Sequence, residues 1–139
     1  MREAVARVAS VAGVTVVARS RVYETEPVGG PLQPSFLNAA IAVECMLSPD
    51  ALLDELQRVE AELGRTRGAG VERWGPRMID LDVLWIDGIT LDQPRLVVPH
   101  PRLHERAFAL LPLLDVAPDA CALPPDLSRA GVRVTSLQL

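Results

Sequence analysis

The chain has 139 residues, 49% of them hydrophobic, which suits one domain over residues 1–139 with its own core and excludes a disordered chain. A formal net charge of −4 excludes a whole-molecule binder of polyanions, and Cys45 and Cys121 make neither a disulfide framework nor a metal-ligand spacing. No apolar run approaches the roughly 20 residues of a membrane span, so a cytoplasmic protein with reduced thiols is expected, with no membrane or nucleic-acid partner.

Residues 2–12 predict an amphipathic helix, with Val5, Val8 and Ala12 on one face and Gly13 as its stop. This stretch lacks the central apolar block and cleavage site of a signal peptide. Residues 14–23, "VTVVARSRVY", alternate and predict a strand: Val14, Val16, Ala18 and Val22 face one way, Arg19, Arg21 and Tyr23 the other. "TEPVGGPLQPS" is a Pro/Gly-rich loop. Residues 36–45 predict another strand, with Leu37, Ala39, Ile41 and Val43 on one face and Phe36 and Asn38 on the other. An aromatic ring beside an amide suits a flat heterocycle, by stacking and hydrogen bonding. An edge ring with a surface amide fits the same pattern.

Next, Ser48 reads as an N-cap and Pro49 as the first helical residue. The stripe Leu52, Leu53, Leu56, Val59 and Leu63 carries this helix to Gly64. The loop "RTRGAGVERWGP" follows. Arg65, Arg67, Arg73 and Arg77 lie close together against a single acid, Glu72, in a chain with no lysine at all. Any anion work therefore falls to guanidinium groups, whose planar forks match phosphate oxygens.

The strand-like run "MIDLDVLWI" then places Asp80 and Asp82 on one face and Ile79, Leu81, Val83 and Trp85 on the other. Two adjacent carboxylates repel unless a cation lies between them. A hard divalent ion such as Mg²⁺, bridging to a substrate phosphate, resolves the repulsion; a solvated sheet face with two harmless acids is the bland alternative. With the arginine loop beside it, the pair has what phosphoryl-type transfer needs: a metal on phosphate oxygens and guanidiniums on the developing charge.

Asp87-Gly88 reads as a hairpin turn into "ITL", "RLVVPHP" as an extended segment, and "RLHERAFALLPLLDV" as a helix disturbed at Pro112. His100 and His104 have the spacing of helical metal ligands, but Pro99 and Pro101 argue against a helix at His100, and only Glu105 lies near enough to complete a site. His100 reads as a phosphate-side donor and His104 as solvated, with Arg95 and Arg106 on either side. No P-loop or nucleophile-elbow motif is present. The element order implies an α+β sandwich with helices on one face of an antiparallel sheet.

"RWGPRMIDLDVL" resembles the signature of 6-hydroxymethyl-7,8-dihydropterin pyrophosphokinases, the folate-pathway family. "YETEPVG", "FLNAA", "LLDELQRVEAELGR", "VPHPRLHERAFALLPL" and "DVAP" follow in that family's order, so the resemblance runs over about residues 3–120. It implies a ferredoxin-like α/β sandwich, usually monomeric, and transfer of pyrophosphate from ATP to the pterin's hydroxymethyl oxygen with release of AMP. Members of the family open with an apolar strand and a Gly-Ser-Asn turn. This sequence opens at the first helix, so the expected fold is that sandwich without its first strand. A truncated or degenerate ATP- or pterin-binding module without transfer is the alternative expectation.

Carried over by position, Asp80 and Asp82 resemble the ligands of two Mg²⁺ ions, and Arg65 and Arg77 the cationic groups that assist the transferring phosphates. Arg67 and Trp74 resemble the loop that closes on ATP. Gln57, Glu60, Arg95, His100 and Arg106 fall where the family contacts ATP or braces that side. Phe36 and Phe108 resemble the rings that sandwich the pterin, Asn38 its amide partner, and Thr25, Glu26 and Val28 its backbone contacts.

Overall fold

The computed structural model describes residues 1–26, 35–65 and 79–139, the Arg65 side chain excepted. The chain divides into two compact units, residues 1–16 with 43–83 and residues 17–42 with 84–139.

In the first unit, α1 (Arg2–Ala9) packs against α2 (Pro49–Arg65). Ala4, Val8, Val11 and Val14 are buried, as are Leu56, Val59 and Leu63 of α2. Each of these valine and leucine side chains contributes on the order of 1.5–3 kcal/mol. α1 ends short of the expected Ala12. Ser10 Oγ donates to the Arg7 carbonyl at 2.7 Å, a local bond that competes with helix continuation. The chain then turns through Gly13 at φ 84°, a left-handed conformation that favours glycine.

α2 follows the sequence reading. Ser48 Oγ accepts the Ala51 amide at 3.2 Å as N-cap, and the leucine–valine stripe faces inward. Gly64 does not end it; Arg65 is the last helical residue. Arg7 joins the two helices, donating to Glu62 at 2.8 Å and to Glu3 at 3.0 Å. Arg58 pairs with Glu55 at 2.7 Å and also with Glu62.

The expected strand over 14–23 is two strands, β1 (Val14–Arg19) and β2 (Tyr23–Thr25). The run 36–45 is likewise two, β3 (Phe36–Asn38) and β4 (Ile41–Cys45). Both interruptions meet at Ser20. Its amide donates to the Ala40 carbonyl at 2.8 Å, and its Oγ accepts the Ala40 amide at 2.7 Å. The buried hydroxyl thus occupies the backbone groups that would otherwise continue the ladder. β1 pairs with β4, and β2 joins a different sheet.

That second sheet, in the second unit, has the order β3-β2-β7, with β7 at Val132–Val134. It is antiparallel throughout: Thr25 lies opposite Phe36 and Val132, and Tyr23 opposite Asn38 and Val134. α3 (Ala107–Val116) packs on β2 and β3. Its core is Leu103, Leu110 and Leu113, with Leu84, Trp85, Leu114 and Leu127 packed around them.

The expected helix over 102–116 divides at Arg106, which is extended. A 3₁₀ turn (Leu103–Glu105) precedes it, and α3 runs through Pro112 without a break. The Asp87-Gly88 hairpin forms as read, with Ile89 N bonded to Ile86 O at 3.1 Å and Gly88 at φ 69°. It leads to β5 (Leu91–Asp92), paired with β6 (Val97–Val98).

Candidate active site

The expected strand over 78–86 does not form across 79–85, which have no ladder partner among the described residues, yet the expected period of two survives over 79–83. Asp80 and Asp82 are exposed, while Ile79, Leu81 and Val83 are half-buried. The amide between the two aspartates is fixed from α2: Leu81 N donates to Glu60 Oε1 at 2.6 Å. A carboxylate accepting a backbone N–H makes one of the stronger hydrogen bonds. Glu60 therefore stands as a brace of the acidic segment. Gln57, one turn earlier on α2, is exposed.

Among the described residues no three His, Cys, Asp or Glu side chains gather at one point. An all-protein cage is therefore not built there. Two exposed carboxylates on one side of one segment fit the other arrangement, in which Mg²⁺ keeps most of its oxygen ligands from phosphate and water.

In the second unit, Asn38 Nδ2 donates to Thr25 Oγ1 at 3.1 Å, diagonally across the β2–β3 pair. This bond leaves the Asn38 carbonyl oxygen as an acceptor and fixes the plane of the amide. Phe36 stands beside it, 55% exposed, on the same sheet face. Glu26 is tied down by its amide, which donates to Gly131 O at 3.0 Å.

On α3, Phe108 is half-buried, and the Arg106 guanidinium lies 5.7 Å from its ring centre. His100 is also half-buried. Its Nδ1 faces the Arg102 amide at 3.4 Å, a long contact. Arg95 is exposed in the turn between β5 and β6. Val28, Arg67, Trp74, Arg77 and the Arg65 side chain lie outside the described residues.

Two features escape sequence reasoning. The first is β7, on the outer side of β2. The second is a polar cluster at Asp115, near the end of α3. Arg21 Nη2 donates to Asp115 Oδ1 at 2.8 Å, and Arg21 Nε and N each donate to Oδ2 at 3.1 Å. The Tyr23 hydroxyl donates to the same Oδ2 at 3.0 Å. Burial raises the Asp115 pKa, but the donors from Arg21 and Tyr23 outweigh it and hold the carboxyl below its usual range. Burial first, and then Asp115, push the Tyr23 phenol up. The only signal in the sequence is the i, i+2 spacing of Arg21 and Tyr23.

Fold and site together define an α+β protein of helices and antiparallel sheets, with α3 packed on β2 and β3. One segment presents an acidic pair and one sheet edge presents an aromatic ring with a fixed amide. The sequence model of the 7,8-dihydro-6-hydroxymethylpterin-pyrophosphokinase family matches residues 1–118. The chain is 43% identical over 136 residues to the 2-amino-4-hydroxy-6-hydroxymethyldihydropteridine pyrophosphokinase of Bacillus subtilis, covering 96% of this chain and 80% of that protein. With the protein of the same name from Methylorubrum extorquens it shares 48% identity over 116 residues, 84% of this chain and 72% of that one. A folate synthesis bifunctional protein of Arabidopsis thaliana is 43% identical over 104 residues, 75% of this chain but 21% of its own length.

The chain belongs to the 6-hydroxymethyl-7,8-dihydropterin pyrophosphokinase family and is a pyrophosphokinase of folate biosynthesis. Among the described residues no helix is long and apolar enough to cross a membrane.

Proposed function

We propose that the chain transfers the β,γ-pyrophosphoryl group of ATP to the hydroxymethyl oxygen of 6-hydroxymethyl-7,8-dihydropterin. The bond from that oxygen to the β-phosphorus forms, its hydroxyl proton passes to water, the bond from the β-phosphorus to the α,β-bridging oxygen breaks, and AMP leaves with that oxygen. The reading rests on one observation above the others: a member of this family presents Asp80 and Asp82 together, exposed, on a segment that Glu60 holds by its central amide.

Asp80 and Asp82 would hold two Mg²⁺ ions, which supply charge neutralisation on the phosphates. Arg65 and Arg77 hold the transferring group, and Arg67 and Trp74 close over ATP. Gln57, Arg95, His100 and Arg106 serve the nucleotide side. Thr25 and Asn38 meet the pterin's polar edge, with Glu26 and Val28 beside them, while Phe36 and Phe108 cover its faces. Such a transfer needs positioning and electrostatic stabilisation more than a strong base.

The test is product identity. With ATP, Mg²⁺ and hydroxymethyldihydropterin, AMP and the pterin diphosphate are expected in equal amounts. Formation of ADP would refute the reading. Tight calorimetric binding of ATP or pterin with no AMP would favour the binding-module alternative.

A further inference from the structure

Asp115 is joined to no ligand-facing role by the family resemblance, yet it receives four hydrogen bonds, three from Arg21, two residues before β2, and one from Tyr23 in it. Its side chain is only 17% exposed. Four of the residues proposed to meet the pterin come from one sheet and one helix of this unit: Thr25, Phe36 and Asn38 from β2 and β3, and Phe108 from α3. Apolar packing between a helix and a sheet tolerates sliding, because methyl groups have no directional partner. A carboxylate held by a guanidinium fork and a phenol does not. The Tyr23 ring, 2% exposed, lies on the same sheet face as Thr25, Phe36 and Asn38.

We propose that Asp115 is a positioning residue for the pterin. By clamping α3 to Arg21 and Tyr23, it fixes the distance between the helix that carries Phe108 and the sheet face that carries Phe36, Asn38 and Thr25. The clamp selects ligand thickness, admitting one flat ring system between the two walls. It acts only on the pterin side.

This inference rests on the pterin assignment above, and the experiment separates the two. Pterin and ATP affinities are measured by calorimetry, alongside AMP formation, in the full chain and in Asp115→Asn. The substitution keeps the side chain's size and one acceptor oxygen but removes the charge and one acceptor. A rise of about tenfold in the pterin Kd and KM is expected, the equivalent of about 1.4 kcal/mol, with ATP values unchanged within about twofold. Tyr23→Phe, which removes a single donor, should give a smaller rise of the same selective kind, and Asp115→Glu should recover part of the loss.

Equal weakening of ATP and pterin would mean general loosening and would overturn the clamp, as would an unchanged pterin affinity. If circular dichroism shows that Asp115→Asn is unfolded, Tyr23→Phe decides by the same criteria. A parent chain that binds pterin but releases no AMP refutes the transfer reading while leaving the clamp decided by affinity. A parent that binds no pterin refutes both.

Discussion

The acidic segment at 79–83 and the sheet edge at β2–β3 are both expected to touch ligand, and they are held in opposite ways. The acidic segment pairs with no strand among the described residues, and the bond from Leu81 N to Glu60 sits at its centre. β2 is hydrogen-bonded along both sides, to β3 and β7. Its side chains are committed as well: Thr25 to Asn38, Tyr23 to Asp115 and Glu24 to Arg133. The difference suits the ligands proposed for the two regions. A divalent cation pulls two carboxylates into place by long-range charge and needs them near one another, not rigid. A neutral heterocycle offers only a few directional hydrogen bonds, so its donors and acceptors must be set before it arrives.

The largest effects should therefore come from removing charge at the acidic pair. Asp80→Asn and Asp82→Asn keep size and lose charge; each is expected to lower the rate of AMP formation by about 10²–10³-fold. Pterin affinity measured without nucleotide should not change. A loss of less than tenfold in both variants would show that the pair is a solvated face after all, and the contrast between the regions would lose its meaning.

Glu60 sharpens the same contrast one step away from the ligand. Glu60→Ala frees the Leu81 amide, and a loss of about 10–100-fold is expected, as for other groups that orient metal ligands. The loss should shrink as Mg²⁺ is raised, because added cation can gather the two aspartates without the brace. Glu60→Gln retains an acceptor for the amide and should keep most of the activity. Equal losses in the two variants, insensitive to Mg²⁺, would make Glu60 a direct contact of the nucleotide instead.

These features differ in how far the sequence reveals them. The start and the buried face of α2 were legible, because Ser48, Pro49 and the leucine–valine stripe are all local signals, whereas its end, expected at Gly64, was not. The Asp87-Gly88 turn and the outward pairing of Asp80 and Asp82 were legible for the same reason. The division of 36–45 into β3 and β4 was not. Ala39 and Ala40 carry no turn chemistry, and the interruption is imposed by Ser20, twenty positions away. The brace at Glu60 and the cluster at Asp115 are likewise contacts across long sequence separations, |i−j| of 21 and up to 94. β7 was hidden because three residues beside β2 leave too short a pattern to show a period.

The built edge has an acid limit that the comparison predicts. The folded pKa of Asp115 is depressed below its unfolded value of about 3.9, so its stabilisation is complete above about pH 4 and is lost as pH falls through the folded value. Glu24, lowered chiefly by Arg133, follows the same sign. Asp115→Asn should cost about 1–3 kcal/mol at pH 7. Below the folded pKa the wild-type carboxyl is itself neutral, and the gap between the two should narrow. Urea melts at neutral and acid pH read both values. A gap that stays constant with pH would mean that Asp115 acts by shape rather than by charge.

The smallest effect is expected at Arg133, where side chain and backbone separate cleanly. Its guanidinium meets Glu24 at 2.8 Å, but the side chain is 66% exposed, and exposed ion pairs give little because water already solvates both partners. Its backbone is placed differently. Glu26 N bonds Gly131 O, and Thr135 N bonds Val22 O, so the alternation of an antiparallel ladder makes Glu24 and Arg133 a hydrogen-bonded pair between them. Arg133→Ala should change the pterin KM by less than about twofold, within what an exposed pair can give. Arg133→Pro removes the ladder donor and should release β2 along that edge, raising the pterin KM above the alanine value while leaving the ATP KM in place. If alanine and proline behave alike, β7 contributes nothing to holding β2, and the rigidity of the sheet edge rests on β3 and Asp115 alone.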